Sequence, residues 1–183
     1  GDPLDPDEGV GVGEPFRIYV YAQDLRSSGA DLGVLSAFVD VLLDKTLINV
    51  INIVPLFDDF HSGTIDAAAG TVEEVGGLEN TRPPTRDRQP VFYLEAIGVA
   101  GGLAQISTNV GESVLSENQL FGADGDLRGA TSYGSGQIRI GLPDLVGIAF
   151  AATPDHLAGG QATVDFTIQN QGSGEAGAFE ARI

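Results

Sequence analysis

Apolar residues in this chain recur at every second position and almost nowhere at the three-and-four spacing of a helix. Phe16, Ile18, Val20 and Ala22 alternate with Arg17, Tyr19, Tyr21 and Gln23. In an extended strand that pattern sends the first set to one face and the second to the other. A strand with one dry face cannot stand alone. Its backbone must pair sideways and its apolar face must be covered, so the chain is bound to an all-β architecture of packed sheets.

Further segments extend the pattern. Residues 37–43 (AFVDVLL) are apolar on both faces except at Asp40, which predicts a strand inside a sheet. Asp44-Lys45 reads as a turn, and residues 46–54 (TLINVINIV) as a β-branched strand closed by Pro55. Residues 62–66 and 70–77 read as short strands at a sheet margin, and residues 80–89 (NTRPPTRDRQ) as an exposed loop. Strands follow at 91–96, 104–108 and 137–140, with a Gly-rich loop at 117–127. About ten strands with polar, Gly-containing turns predict a sandwich or jelly roll. The 26 glycines and 9 prolines suit that many turns. Gly9-Val10-Gly11-Val12-Gly13 precedes a strand rather than joining strand to helix, so it reads as a flexible lead-in and not a nucleotide loop.

Charge and composition narrow the function. The net charge is −17, from 26 acidic residues against 9 basic ones, which repels nucleic-acid phosphates. There is no Cys, so disulfides, thiolate metal sites and a cysteine nucleophile are excluded. No apolar run approaches the roughly 20 residues of a membrane span. With no Met and a Gly1-Asp2-Pro3 start, the chain is expected to be a processed or excised segment.

Candidate chemistry is sparse. His61 follows Asp58 and Asp59, and His156 follows Asp155, but neither lies in a zinc spacing or beside a nucleophile elbow. No catalytic residues are assigned and the chain is read as a non-enzyme that needs no cofactor, calcium being the one candidate ion. Asp2, Asp5, Asp7 and Glu8 crowd one segment, and Asp124 and Asp126 flank Gly125. Calcium takes about six to eight hard oxygens from such loops. The same clusters read equally as turns in which Asp bonds its own backbone. Tyr19 and Tyr21 share an outward face, as a sugar or partner platform or as a surface packed under a neighbouring unit. Thr81 and Thr85, beside Pro83 and Pro84, are candidate O-glycan sites.

Two stretches carry family resemblances. Residues 12–18 (VGEPFRI), 33–41 (GVLSAFVDV), 46–50 (TLINV), 92–96 and 136–140 (GQIRI) follow one another as in a cohesin-type domain. That resemblance, over residues 9–141, implies a jelly-roll sandwich that binds or scaffolds proteins. Residues 142–146 (LPDLV), 158–168 (AGGQATVDFTI) and 170–179 (NQGSGEAGAF) resemble the opening of a bacterial cell-adhesion-related domain, CARDB, which implies an immunoglobulin-like sandwich. The expected division is a cohesin-like unit at 1–141 and a partial immunoglobulin-like unit at 142–183. The missing strands of the second unit would come from downstream sequence or another chain.

Two functions fit this organisation. The first is a structural subunit of a bacterial extracellular filament or surface assembly. It would polymerise head to tail with other copies by strand complementation, burying Ile148, Phe150, Val164, Phe166, Ile168 and Phe179. The alternative is an adhesion or scaffold module of a large secreted protein, binding a dockerin-like protein or a surface polysaccharide.

Overall fold

The computed structural model describes residues 9–28, 32–57, 59–111, 117–141, 143, 145–152, 164–172, 174, 176 and 180. Among them the chain is all-β, with one 3-10 turn at Arg128–Ala130. The strands are β1 (Pro15–Ala22), β2 (Val34–Leu43), β3 (Ile48–Pro55), β4 (Phe60–Asp66), β5 (Thr71–Leu78), β6 (Gln89–Gly98), β7 (Gly102–Val110), β8 (Gln119–Leu120), β9 (Ser135–Ile140), β10 (Leu145–Ala152) and β11 (Val164–Asn170).

Three antiparallel sheets result. One has the order β1-β6-β3. A second runs β4-β5-β2-β7-β9, with β8 also on β2, and the third is the β10-β11 pair. The chain passes back and forth between the first two sheets, so its core is assembled from residues distant in sequence. Val41, Val72 and Val75 of the larger sheet pack with Phe92 and Leu94 of the smaller one, and Phe57 joins them. Ile18, Val20 and Ala22 line the same core, which is the inward set that the alternation predicts. Each fully buried Val, Leu or Phe contributes about 1.5–3 kcal/mol. A second cluster joins Val10, Phe16, Ile48, Ala96, Ala104 and Ile140.

The predicted interior strand is β2, paired with β5 on one side and with β7 and β8 on the other. Two expectations need correction. Of the two segments read as margin strands, only β4 is one. β5 lies between β4 and β2, and its Gly76 and Gly77 are buried where backbones meet. The lead-in is not loose either. Val10 is buried and bridges Ile140 in parallel, its N–H donating to Arg139 O at 2.9 Å. That contact ties the segment before β1 to the last strand of the large sheet.

Turns follow local chemistry. Asp44 accepts the Thr46 N–H at 3.0 Å in the β2–β3 turn. Asp66 accepts the N–H groups of Ala68 and Ala69 between β4 and β5, and Gly70, at φ +81°, closes that turn. In the separate β10–β11 sheet, Leu145 pairs with Asn170 and Phe150 with Phe166, around an irregularity between Gly147 and Ala149.

Candidate binding surfaces

The outer face of the small sheet carries a stack of arginines and tyrosines. Alternation places Arg17, Tyr19 and Tyr21 on that face of β1, and the register puts Tyr93 opposite Tyr19 and Glu95 opposite Arg17. The Tyr19 ring lies 5.1 Å from Tyr93 and 6.2 Å from Tyr21. The Arg17 guanidinium sits 4.8 Å over the Tyr93 ring, and that of Arg88 sits 4.1 Å over Tyr21. The order is Arg17, Tyr93, Tyr19, Tyr21, Arg88. Such stacking fixes each guanidinium. Arg17 is also ion-paired with Glu95 at 3.7 Å, whereas Arg88 makes no ion pair among the described residues, so a ligand meets one uncommitted cationic fork here beside the rings. The Tyr platform was legible from β1 alone; Tyr93 and both arginines joined it only through cross-strand register.

The outer face of the large sheet is different. Exposed Leu42 on β2, Phe60 on β4 and Leu103 on β7 stand among Thr64, Gln105 and Asn109. Phe60 covers Phe38, with ring centroids 6.2 Å apart, which explains how Phe38 is 2% exposed on an outward position. Separated apolar side chains on a polar, rigid sheet are suited to a protein contact.

A third feature lies at the end of β1. The buried Asp24 carboxylate accepts from Arg26 Nη2 at 2.8 Å, from Arg26 Nε at 3.1 Å, and from the N–H groups of Arg26 and Gly33 at 2.9 and 2.8 Å. The Arg26 guanidinium holds the Asp24 pKa below the usual carboxylate value, against the opposing effect of burial and with help from the two backbone donors. Arg26 Nη2 also donates to Phe121 O at 2.7 Å, so the pair fastens the loop after β1 to the turn after β8. The sequence showed only a polar loop here. The signal it carried was the Asp-x-Arg spacing ahead of Gly33.

The predicted sites are dispersed. Asp2, Asp5, Asp7 and Glu8 lie outside the described residues, as do Asp58, His156 and Phe179. Asp124 is exposed, and Asp126 is hydrogen-bonded to Arg128 and to the N–H of Asn118. Burial raises the Asp126 pKa, but the Arg128 bonds outweigh it and the net direction is down. Among the described residues no group of three or more His, Cys, Asp or Glu could hold a metal ion. His61 is exposed on β4, paired with Gly77. The Thr81 hydroxyl donates to Glu79 at 2.7 Å, and the Thr85 hydroxyl accepts the Asp87 N–H at 3.1 Å. On the β10–β11 sheet Ile148, Phe150 and Phe166 are exposed, while Val164 and Ile168 are half-buried. No helix among the described residues is long and apolar enough to cross a membrane.

The two facing antiparallel sheets form a jelly-roll sandwich, and the comparison with solved structures makes that fold cohesin-like. The third cohesin of ScaC from Acetivibrio cellulolyticus, solved in complex with the ScaB dockerin, is similar to the chain with a TM-score of 0.50 at 12% identity. The match covers 72% of this chain and 92% of that one. The cohesin module of a family 33 glycoside hydrolase from Clostridium perfringens covers 72% and 88% at 14% identity and a TM-score of 0.46. The OlpA cohesin from Clostridium thermocellum, solved in a cohesin–dockerin complex, covers 72% and 94% at 17% identity and a TM-score of 0.44. No family model and no curated protein matches the sequence.

Proposed function

We propose that this chain is a non-catalytic protein-binding module of an extracellular scaffold, and that its partner docks on the outer face of the large sheet. The observation that carries the reading is the exposure of Leu42, Phe60 and Leu103 on the outer face of one antiparallel sheet. The fold adds support, because the Acetivibrio cellulolyticus cohesin that shares it was solved with a dockerin bound. A dockerin-like protein is accordingly the partner class. The test is a titration of the chain against a panel of dockerin modules. At least one binds with micromolar affinity or better, and a Leu42→Asp/Leu103→Asp double variant weakens it more than tenfold while circular dichroism is unchanged. Silence across the panel, or full affinity in the variant, sinks this reading.

A second reading concerns residues 142–183, taken as a separate unit of the cell-adhesion-related type that their sequence resembles. Among the described strands β10 and β11 pair only with each other, which leaves an open edge on each. Phe150 is 69% exposed and Ile148 is 52% exposed beside those edges. Open edges next to bare apolar side chains favour completion by a strand from another copy, the route to a filament.

A further inference from the structure

Among the described residues, one end of the sandwich opens into a cleft. The last residues of β1, the start of β2, the start of β6 and segment 118–134 enclose a cleft of about 800 Å³. Its walls include Val20, Ala22, Val39, Phe92 and Leu120. Protein interiors are normally packed as densely as organic crystals, so an apolar space of this size between two sheets has the character of a ligand site.

The mouth is held in shape. Arg26 ties the loop after β1 to Phe121 across the opening, and Asp24 and the Gly33 N–H complete that latch. With its carboxylate committed to Arg26 and Gly33, Asp24 offers nothing to a cationic ligand. Arg88 does the reverse. It lines the mouth, sits over the Tyr21 ring, and makes no ion pair among the described residues. Thr131, Ser132 and Tyr133 line the same cleft, the Thr131 and Tyr133 hydroxyls donating to Leu127 O and Arg128 O.

This chemistry selects a narrow ligand class. A sugar would find polar partners only along the rim and would have to set its remaining hydroxyls against the Val, Ala and Phe walls, which is costly. A polyanion would face the field of a protein of net charge −17. An apolar body with a single carboxylate satisfies both the walls and the one available guanidinium. We propose that the cleft binds an amphiphilic monocarboxylate, its apolar body between the sheets and its carboxylate on Arg88. The site is separate from the protein-docking face and does not rest on it.

The probe is 11-dansylaminoundecanoate, whose emission rises on burial in a protein that has no Trp. Saturable enhancement is expected, with displacement by decanoate at least tenfold more effective than by decanol. Arg88 is exposed, so Arg88→Gln leaves the fold intact and weakens probe binding about tenfold or more. Ala22→Phe, which narrows the cleft from β1, removes the enhancement. Absence of saturable enhancement in the wild-type chain overturns the proposal. So does equal displacement by decanol and decanoate, or unchanged affinity in Arg88→Gln.

Discussion

The Asp40 carboxylate accepts the backbone N–H of Glu74 at 2.8 Å, joining β2 to an irregular turn of β5. The pairing of these strands slips between Val39 and Val41, and Glu74 there has φ +52°, the one positive value among the described residues other than glycine. An extra residue in β5 leaves a backbone donor without its ladder partner, and Asp40 supplies the acceptor. This accounts for the single acidic residue in an otherwise apolar strand. Asp40→Ala should lower unfolding free energy by about 1–2 kcal/mol, because the donor then lacks a partner in a half-buried site. Asp40→Asn keeps the acceptor oxygen and should restore most of the loss. Urea unfolding of the three proteins checks the order.

The Asp24–Arg26 latch predicts a specific pH response. The folded-state pKa of Asp24 is lowered, so the unfolded chain binds that proton more tightly. The stabilisation is therefore complete above the ordinary carboxylate value of 3.8 and is lost as pH falls through the lower folded value. Asp24→Asn should cost about 2–4 kcal/mol at neutral pH, since it strips the charge from a buried partner of Arg26. The gap between wild type and variant should shrink below about pH 4. Thermal melts of both proteins from pH 2 to 7 measure it. Other carboxylates titrate in both chains and cancel in the difference.

Gly76 tests the close approach of β5 to β2. A Cβ at this position would fall against the carbonyl oxygen of Ala37, with the Phe38 Cα 2.7 Å away. Both obstacles are backbone and cannot rotate aside. Gly76→Ala should destabilise by about 3 kcal/mol or more, at the upper end of overpacking. Gly136→Ala, on β9, meets nothing within 4 Å and should stay within about 0.5 kcal/mol of wild type. Comparable losses in both would show that the strands can separate at Gly76.

These residues show what a sequence discloses and what it hides. The alternation in β1 was readable because one face is wet and one is dry. The interior placement of β2 was readable because it is apolar on both faces. The partner of its first residues was not, since Val34 and Ser36 pair with Leu120 and Gln119, more than eighty positions away. β5 was read as a strand but placed at the margin, because its order between β4 and β2 is set by pairing partners distant in sequence. Register failed to show in the same way: Tyr19 and Tyr21 stood out, but nothing local brings Arg88 over Tyr21 or Arg17 over Tyr93. The cleft was invisible because its walls come from both sheets. Acidic clusters were easy to see, yet Asp126 is engaged by Arg128 two residues away, a pairing that composition does not reveal.

The β10–β11 sheet gives the last prediction. Phe150 faces Phe166 across the pair, and both remain exposed, as does Ile148 at the irregularity beside them. Bare aromatic pairs on a two-stranded sheet are marginal alone and gain most by being covered. If another copy covers them, the wild-type chain should sediment as a concentration-dependent oligomer. Phe150→Ser and Ile148→Ser together should weaken that association at least tenfold. Because these side chains are exposed in the single chain, the melting temperature at low protein concentration should hardly change. Sedimentation velocity over a hundredfold concentration range separates the outcomes. A wild-type chain that stays monomeric at hundreds of micromolar removes self-completion.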